Sequence, residues 1–145
     1  MDPPIFAEFA ISAVLVVICV TVHGLGLAGL SRILRSEAAN ERLKAINPLS
    51  LRGSLFTLGI VVAMVALHGV EIWLFAFTYL FTHAVHGFEE ALYFSTISYS
   101  TVGYSDTHIL PEWRLVGAFE SILGVILLGW STAFFLRMIS RIDPH

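Results

Sequence analysis

The sequence predicts an all-α membrane protein with three transmembrane helices and one short helix that enters the membrane and returns to the same side. Of its 145 residues, 57% are hydrophobic and only 13% are charged, whereas a soluble domain carries about 25% charged residues. A soluble domain of this length has too little interior to bury so much apolar side chain. Three apolar stretches each exceed the roughly 20 residues that a spanning helix needs.

Composition also excludes several classes of protein. The charges are too few for a disordered chain or a coiled coil. The net charge of −3 has the wrong sign for a surface that binds nucleic acid, so we expect no nucleic-acid partner. Cys19 is the single cysteine, which makes an intrachain disulfide impossible and argues against a cysteine-based metal site.

The first apolar stretch predicts a transmembrane helix within residues 1–34. No formal charge occurs from Phe9 to Ser31. A cleavable signal peptide is not expected, because Asp2 and Glu8 stand where such a peptide carries Lys or Arg. Residues 35–52 predict a cytoplasmic linker with a short helix capped by Ser36, which lies on the inner membrane surface or is simply solvated.

The second and third stretches predict spanning helices over residues 53–82 and 113–141. Glu71 is the only charged residue in the second span. In the third span, Glu120 is the only charged residue between Leu115 and Leu136. Seven of the eight Lys and Arg residues lie between the first two stretches or after the third. The positive-inside rule therefore predicts an outside N-terminus and a cytoplasmic C-terminus.

The segment between these two spans predicts a re-entrant helix over residues 88–100. Glu89 and Glu90 lie in its first turn, where the helix dipole favours acidic side chains. About three helical turns are too short to cross a bilayer. Such a segment is stable at membrane depth only when it is buried in protein or lines a watery cavity.

The next six residues, 101–106, read Thr-Val-Gly-Tyr-Ser-Asp. They resemble the TVGYGD signature of tetrameric potassium channel pores at five of six positions, and the resemblance extends from about Phe56 to Ile142. It implies a pore domain over residues 53–142, with an outer helix, a pore helix, a selectivity filter at 101–106 and an inner helix. It also implies a homotetramer in the plasma membrane (the bacterial inner membrane) that contacts lipid and passes monovalent cations without a cofactor.

The resemblance implies that K⁺ loses its water to backbone carbonyls of the filter, whose residues are Thr101, Val102, Gly103, Tyr104 and Ser105. The carbonyls of the first four are the expected K⁺ ligands. Val102 and Tyr104 are expected to point away from the ion and brace the filter against the pore helix. Filter support is expected from Tyr93, Phe94, Ser100 and Asp106, with a hydrogen bond from Tyr93 to Asp106.

Ser105 stands where the family has its second glycine. A left-handed backbone at a residue other than Gly, Asn or Asp costs about 1–2 kcal/mol. Either Ser105 accepts this strain, or the outermost carbonyl turns away. The first alternative preserves K⁺ selectivity, and the second predicts a weakly selective or non-selective monovalent cation channel.

The third span is expected, by resemblance, to line the conduction path and to carry the gate. The candidate residues are Gly124, Val125, Leu128, Gly129, Thr132 and Leu136. Gly124 is a hinge or a site of close helix packing, and the sequence leaves both alternatives open. An apolar ring near Leu136 would gate by dewetting. The sequence does not give the gating stimulus.

Three ionisable residues inside the membrane, His68, Glu71 and Glu120, are expected to face protein, because a charge exposed to lipid is costly. They are either satisfied by a hydrogen bond to Ser95, Ser98 or Tyr99, or form a proton-sensitive strut behind the filter. His23 is expected at a helix contact.

Two rival functions remain open. One is a membrane metalloenzyme, since His and Glu side chains are common metal ligands; its candidate ligands are His68, Glu71, His83, His86, Glu89 and Glu90. The other is a non-conducting subunit that keeps the pore fold. The metalloenzyme leaves residues 101–106 unexplained, so we expect no enzymatic activity, and the non-conducting subunit predicts no ion flux from the purified protein.

Overall fold

A computed structural model of the chain describes residues 5–35, 50–107 and 109–142. The described residues contain four α-helices: α1 (Ile5–Arg35), α2 (Leu51–Phe81), α3 (Phe88–Tyr99) and α4 (Arg114–Ile142), the last preceded by a 3₁₀ turn over Pro111–Trp113. The predicted linker helix after Ser36 lies outside them. Three helices, α1, α2 and α4 with its preceding turn, are long and apolar enough to cross a membrane, so the predicted fold class is confirmed.

The spanning helices follow from their sequences. α2 begins after Ser50, whose hydroxyl oxygen accepts a hydrogen bond from the Gly53 N–H at 3.2 Å. This contact satisfies one of the amides that the first turn of a helix leaves free. α1 buries a single stripe, which includes Ser12, Cys19 and His23, while Val14 and Leu25 of its remaining surface are exposed. A helix that is apolar on all sides is typical of a membrane span.

α1 packs against both α2 and α4, and α3 packs against the same two helices. One core joins all four helices, and its members include Cys19, Phe75, Tyr79, Phe94 and Leu127. A smaller cluster at the other end of the spans joins the end of α1, the start of α2 and the end of α4. The first helix is therefore an integral part of the folded chain.

The segment that contains α3 runs from residue 85 to residue 109, and its two ends are joined by backbone contacts. Val85 and Ile109 form an isolated antiparallel bridge, and the Leu110 N–H donates to the Ala84 carbonyl at 2.9 Å. Gly87 precedes α3 with φ of 94°, a conformation that glycine adopts at little cost. This contact brings the two ends of the segment together beside the C-terminal end of α2.

Candidate functional site

The filter segment, residues 101–106, begins directly at the C-terminal end of α3. The Thr101 N–H donates to the Ser98 carbonyl at 2.9 Å, and the Gly103 N–H donates to the Ile97 carbonyl at 3.0 Å. A helix end leaves such carbonyls without a partner inside the helix. Here the filter segment supplies two of the missing donors, so its first residues are held in a fixed relation to α3.

Left-handed backbone conformations alternate along this segment. Thr101 has φ of 61° and Gly103 has φ of 55°, while Val102 between them does not have a positive φ. A positive φ is uncommon at a β-branched residue such as threonine, so this segment does not have an ordinary extended backbone.

Ser105 does not continue this alternation. The non-glycine residues with positive φ in the described part of the chain are His83 and Thr101. The Ser105 hydroxyl instead lies 2.8 Å from the Thr107 hydroxyl and accepts from the Thr107 N–H at 3.2 Å. Of the two alternatives for Ser105, the structure has the unstrained one.

The expected brace around the filter is only partly present within one chain. Tyr104 is 80% exposed and Val102 is 49% exposed, so neither is buried against α3 of its own chain as expected. Phe94 is buried and packs edge-on against Tyr79 at a ring distance of 5.3 Å. A cavity of about 400 Å³ beside the filter is lined by Phe94, Ser98, Gly103, Tyr104 and Arg114, among other residues.

The expected hydrogen bond from Tyr93 to Asp106 stays a prediction. The contact that the structure shows for the Asp106 carboxylate is with Arg114, whose Nε lies 3.2 Å from Oδ2. Both side chains are more than half exposed, and such surface ion pairs contribute little to stability. Tyr93 is half-exposed on α3, and Ser100 is the C-cap of that helix, with its hydroxyl 2.8 Å from the Thr96 carbonyl.

The face of α4 that was expected to line the pore is the face that its own chain leaves uncovered. Val125, Leu128, Thr132 and Leu136 are all exposed, whereas Leu127 is buried. Gly129 is also open, because a Cβ built there meets no atom within 4 Å. The uncovered face is therefore continuous along the helix.

Gly124 does not belong to that uncovered face. It is buried against α3, and a Cβ built on it would lie 2.0 Å from the Tyr99 carbonyl oxygen. Of the two alternatives for Gly124, the structure supports close packing. α4 therefore contacts α3 at the residue where α3 ends.

A buried polar network surrounds Glu71, which is fully covered. Its Oε1 lies 2.8 Å from His23 Nδ1, and its Oε2 accepts from the Tyr99 hydroxyl. His68 Nδ1 lies 2.7 Å from the Tyr99 hydroxyl and 3.3 Å from the same carboxylate oxygen. On its far side, His23 Nε2 lies 3.2 Å from the Ser131 hydroxyl. Hydrogen bonds thus join α1, α2, α3 and α4.

Glu120 holds α3 from the opposite direction. This fully buried carboxylate accepts from the Tyr79 hydroxyl at 2.6 Å and from the Ser95 hydroxyl. Ser95 also lies 2.8 Å from the Ile72 carbonyl oxygen. Two of the three hydroxyl partners suggested by the sequence, Ser95 and Tyr99, therefore contact the intramembrane carboxylates.

Sequence reasoning missed the role of His23. It placed His23 at a helix contact, and the structure has it there, but it did not foresee that the imidazole is fully buried and uses both ring nitrogens. An ionisable side chain in the middle of an apolar span is itself a signal, since such groups usually pair with one another. That rule did not identify Glu71, 48 residues away, as the partner.

The metal-ligand cluster expected for a metalloenzyme does not form as predicted. In the described residues, one group of potential ligands converges, and it consists of His23, His68 and Glu71, with ligand atoms within 4.8 Å of one another. The other candidates, His83, His86, Glu89 and Glu90, are exposed. In this group both carboxylate oxygens of Glu71 accept hydrogen bonds, so the side chains are arranged as a hydrogen-bonded network.

Comparison with known proteins identifies a family match for the part of the chain that contains this site. A family model described as an ion channel matches residues 54–141, which is more than half of the chain and contains α3, the filter segment and nearly all of α2 and α4. No curated protein and no solved structure matches the chain. α1 lies outside the matched region. The match agrees with the resemblance carried by residues 101–106, and the chain belongs to this family of two-helix ion channels, with an additional N-terminal helix.

Proposed function

We propose that four copies of this chain form a channel that conducts K⁺ through the backbone carbonyls of residues 101–104. The observation that carries the proposal is the alternating backbone at Thr101 and Gly103, held at the end of a short intramembrane helix. Carbonyl oxygens can replace the hydration shell of a permeating ion. One chain supplies one carbonyl to each layer, so several copies around one axis are required.

The uncovered surfaces of the subunit support assembly. Tyr104 and the apolar α4 face from Val125 to Leu136 are exposed in the single chain. In a ring of four subunits, Tyr104 would be covered by a neighbour and the α4 face would surround the conduction path. A closed cyclic assembly is also the usual form of a homo-oligomer. We infer an outside N-terminus and a cytoplasmic C-terminus from the distribution of Lys and Arg.

The test is ion flux into liposomes that contain only this protein, with K⁺ and Na⁺ gradients compared. K⁺ flux supports the channel, and a monodisperse protein without any cation flux supports the non-conducting rival. Metal content measured on the same sample separates the metalloenzyme, which requires stoichiometric bound metal.

Gly103→Ala is expected to remove selective flux. A Cβ at this position meets no atom within 4 Å, so the effect comes from the φ of 55° and not from a clash. An alanine held in that conformation costs about 1–2 kcal/mol, which favours a rotated peptide and a misdirected carbonyl. The matched control is Gly69→Ala in α2, which is equally open. A Gly103→Ala channel with unchanged K⁺ over Na⁺ preference would remove the filter assignment.

A weakly selective cation channel is the second candidate, because Ser105 is outside the left-handed region. In this case the outermost backbone carbonyl of the filter turns away from the ion and does not serve as a ligand. Ser105→Gly is then expected to raise the K⁺/Na⁺ permeability ratio, measured from reversal potentials, by about tenfold for about 1.4 kcal/mol of added discrimination.

Ser105→Ala is the control for this prediction. It removes the hydroxyl contact with Thr107 but does not make a positive φ accessible at low cost. We expect it to leave the permeability ratio unchanged. An equal rise in both variants would show that the side chain, and not the backbone, limits selectivity.

A further inference from the structure

We propose that His23, on the helix that the family match does not cover, is a positioning residue for the filter. It acts through Glu71, which in turn holds Tyr99 at the end of the pore helix. This inference rests on the proposed function and assigns a role in that function to α1.

The contacts of His23 indicate a position selected for hydrogen bonding. Its side chain is fully buried between α2 and α4, where an imidazole without partners is costly. Both ring nitrogens have a partner, with Glu71 on one side and Ser131 on the other. Cys19, one turn earlier on the same buried stripe, is also fully covered and has an apolar role in the core. Packing alone would therefore be served by an apolar side chain at position 23.

Glu71 transmits the constraint because its two oxygens face different helices. Oε1 faces His23 on α1, and Oε2 accepts from Tyr99 on α3. The two contacts together fix the rotation of the carboxylate. Without the imidazole, Oε1 would be a buried acceptor with no partner, and the carboxylate would gain by turning away from Tyr99.

Tyr99 is the residue through which this constraint reaches the filter. Its hydroxyl is bound by Glu71, and its carbonyl oxygen lies against Gly124 of the inner helix. It is the last residue of α3 and stands two positions before Thr101, the first left-handed residue of the filter segment. A shift of Tyr99 therefore moves the start of the filter. The neighbouring amides of Thr101 and Gly103 are sensitive reporters, since both donate to α3 carbonyls.

The experiment compares three variants of the full chain in detergent. His23→Leu removes both polar contacts. His23→Asn keeps a polar atom at the position of Nδ1, so it preserves the contact with Glu71 and loses the one with Ser131. Cys19→Ala is the matched control, because it removes buried volume from the same stripe and leaves the network intact. Hydrogen–deuterium exchange is measured on peptides that cover residues 97–104.

We expect His23→Leu to accelerate exchange in these peptides by about tenfold, the effect of leaving one buried polar group without its partner. His23→Asn and Cys19→Ala are expected to match the wild type there. In liposomes, His23→Leu is expected to raise the Na⁺/K⁺ permeability ratio, with His23→Asn restoring it. If His23→Leu does not yield monodisperse protein, His23→Gln replaces it, since its amide matches the position of Nε2 and not of Nδ1.

The proposal would be overturned if His23→Leu (or His23→Gln) exchanged in these peptides at the same rate as the wild type, His23→Asn and Cys19→Ala. Acceleration by Cys19→Ala alone would also overturn it. Exchange is measured without ion flux, so it tests the positioning role even if the wild type does not conduct. An absence of flux with the expected exchange pattern would refute the proposed function and leave the positioning of the filter segment by His23 standing.

Discussion

Gly124→Ala is expected to separate the inner helix from the pore helix and to abolish flux. The new methyl group would lie 2.0 Å from the Tyr99 carbonyl oxygen, a backbone atom that no side-chain rotation can move away. Overpacking that forces the backbone to shift typically costs about 1–3 kcal/mol, and occasionally more. The shift falls on the last residue of α3, directly before the filter segment. The measurement is the free energy of unfolding in detergent together with flux in liposomes.

Gly129→Ala provides the matched control on the same helix. A Cβ at this position meets no atom within 4 Å in the single chain. Alanine is the better helix former, so a gain of up to about 1 kcal/mol in stability is expected. Opposite signs for the two substitutions would support close packing at Gly124. A Gly124→Ala protein that is as stable as the Gly129→Ala protein would contradict the contact with Tyr99.

Glu120→Leu is expected to lower the free energy of unfolding by about 2 kcal/mol, because it leaves the Tyr79 hydroxyl buried without an acceptor. Ser95 loses less, since it retains the Ile72 carbonyl as a partner. The side chain at position 120 ties α3 to α2 and α4, so the pore helix is expected to become less ordered in this variant. Denaturant titration in detergent measures the loss.

Glu120→Gln is expected to stay close to the wild type. Its amide oxygen can accept from Tyr79, and its amide N–H can donate to Ser95 while Ser95 donates to Ile72. Every buried polar group then keeps a partner, which is the condition that determines stability here. If Glu120→Gln lowers the free energy of unfolding as much as Glu120→Leu does, the site requires the negative charge of Glu120 and not only its hydrogen bonds.

Hydropathy and one short motif were sufficient to predict the fold class. The three spans follow from uninterrupted apolar sequence, and the short helix follows from a segment too apolar for a solvated loop and too short to cross a bilayer. The motif at 101–106 also located the segment in which Thr101 and Gly103 adopt left-handed conformations. The spans and the short helix depend on local sequence, so they can be inferred without knowledge of tertiary contacts, whereas the positive φ of the β-branched Thr101 is not favoured by its own side chain.

The contacts between helices could not be predicted in the same way. Hydropathy places His23 and Glu71 within their spans but does not fix how each helix is rotated about its axis. The same limit left Gly124 undecided between a hinge and close packing, because the Tyr99 carbonyl becomes its neighbour only after α3 and α4 pack. For Ser105 the cost of strain was known in advance, but the contact with Thr107 that accompanies the unstrained backbone was not.

The bridge between Val85 and Ile109 has a consequence for how such subunits vary. It joins the two ends of the segment between residues 85 and 109. The entropic cost of closing this loop depends only weakly on the number of residues between the two ends. The segment between residues 85 and 109 can thus vary in length while the packing of the spanning helices is kept. Insertions next to Gly87 or just before Ile109 should leave the spanning helices in place. Leu110→Pro, which removes the amide bonded to Ala84, should loosen both the segment and the spanning helices.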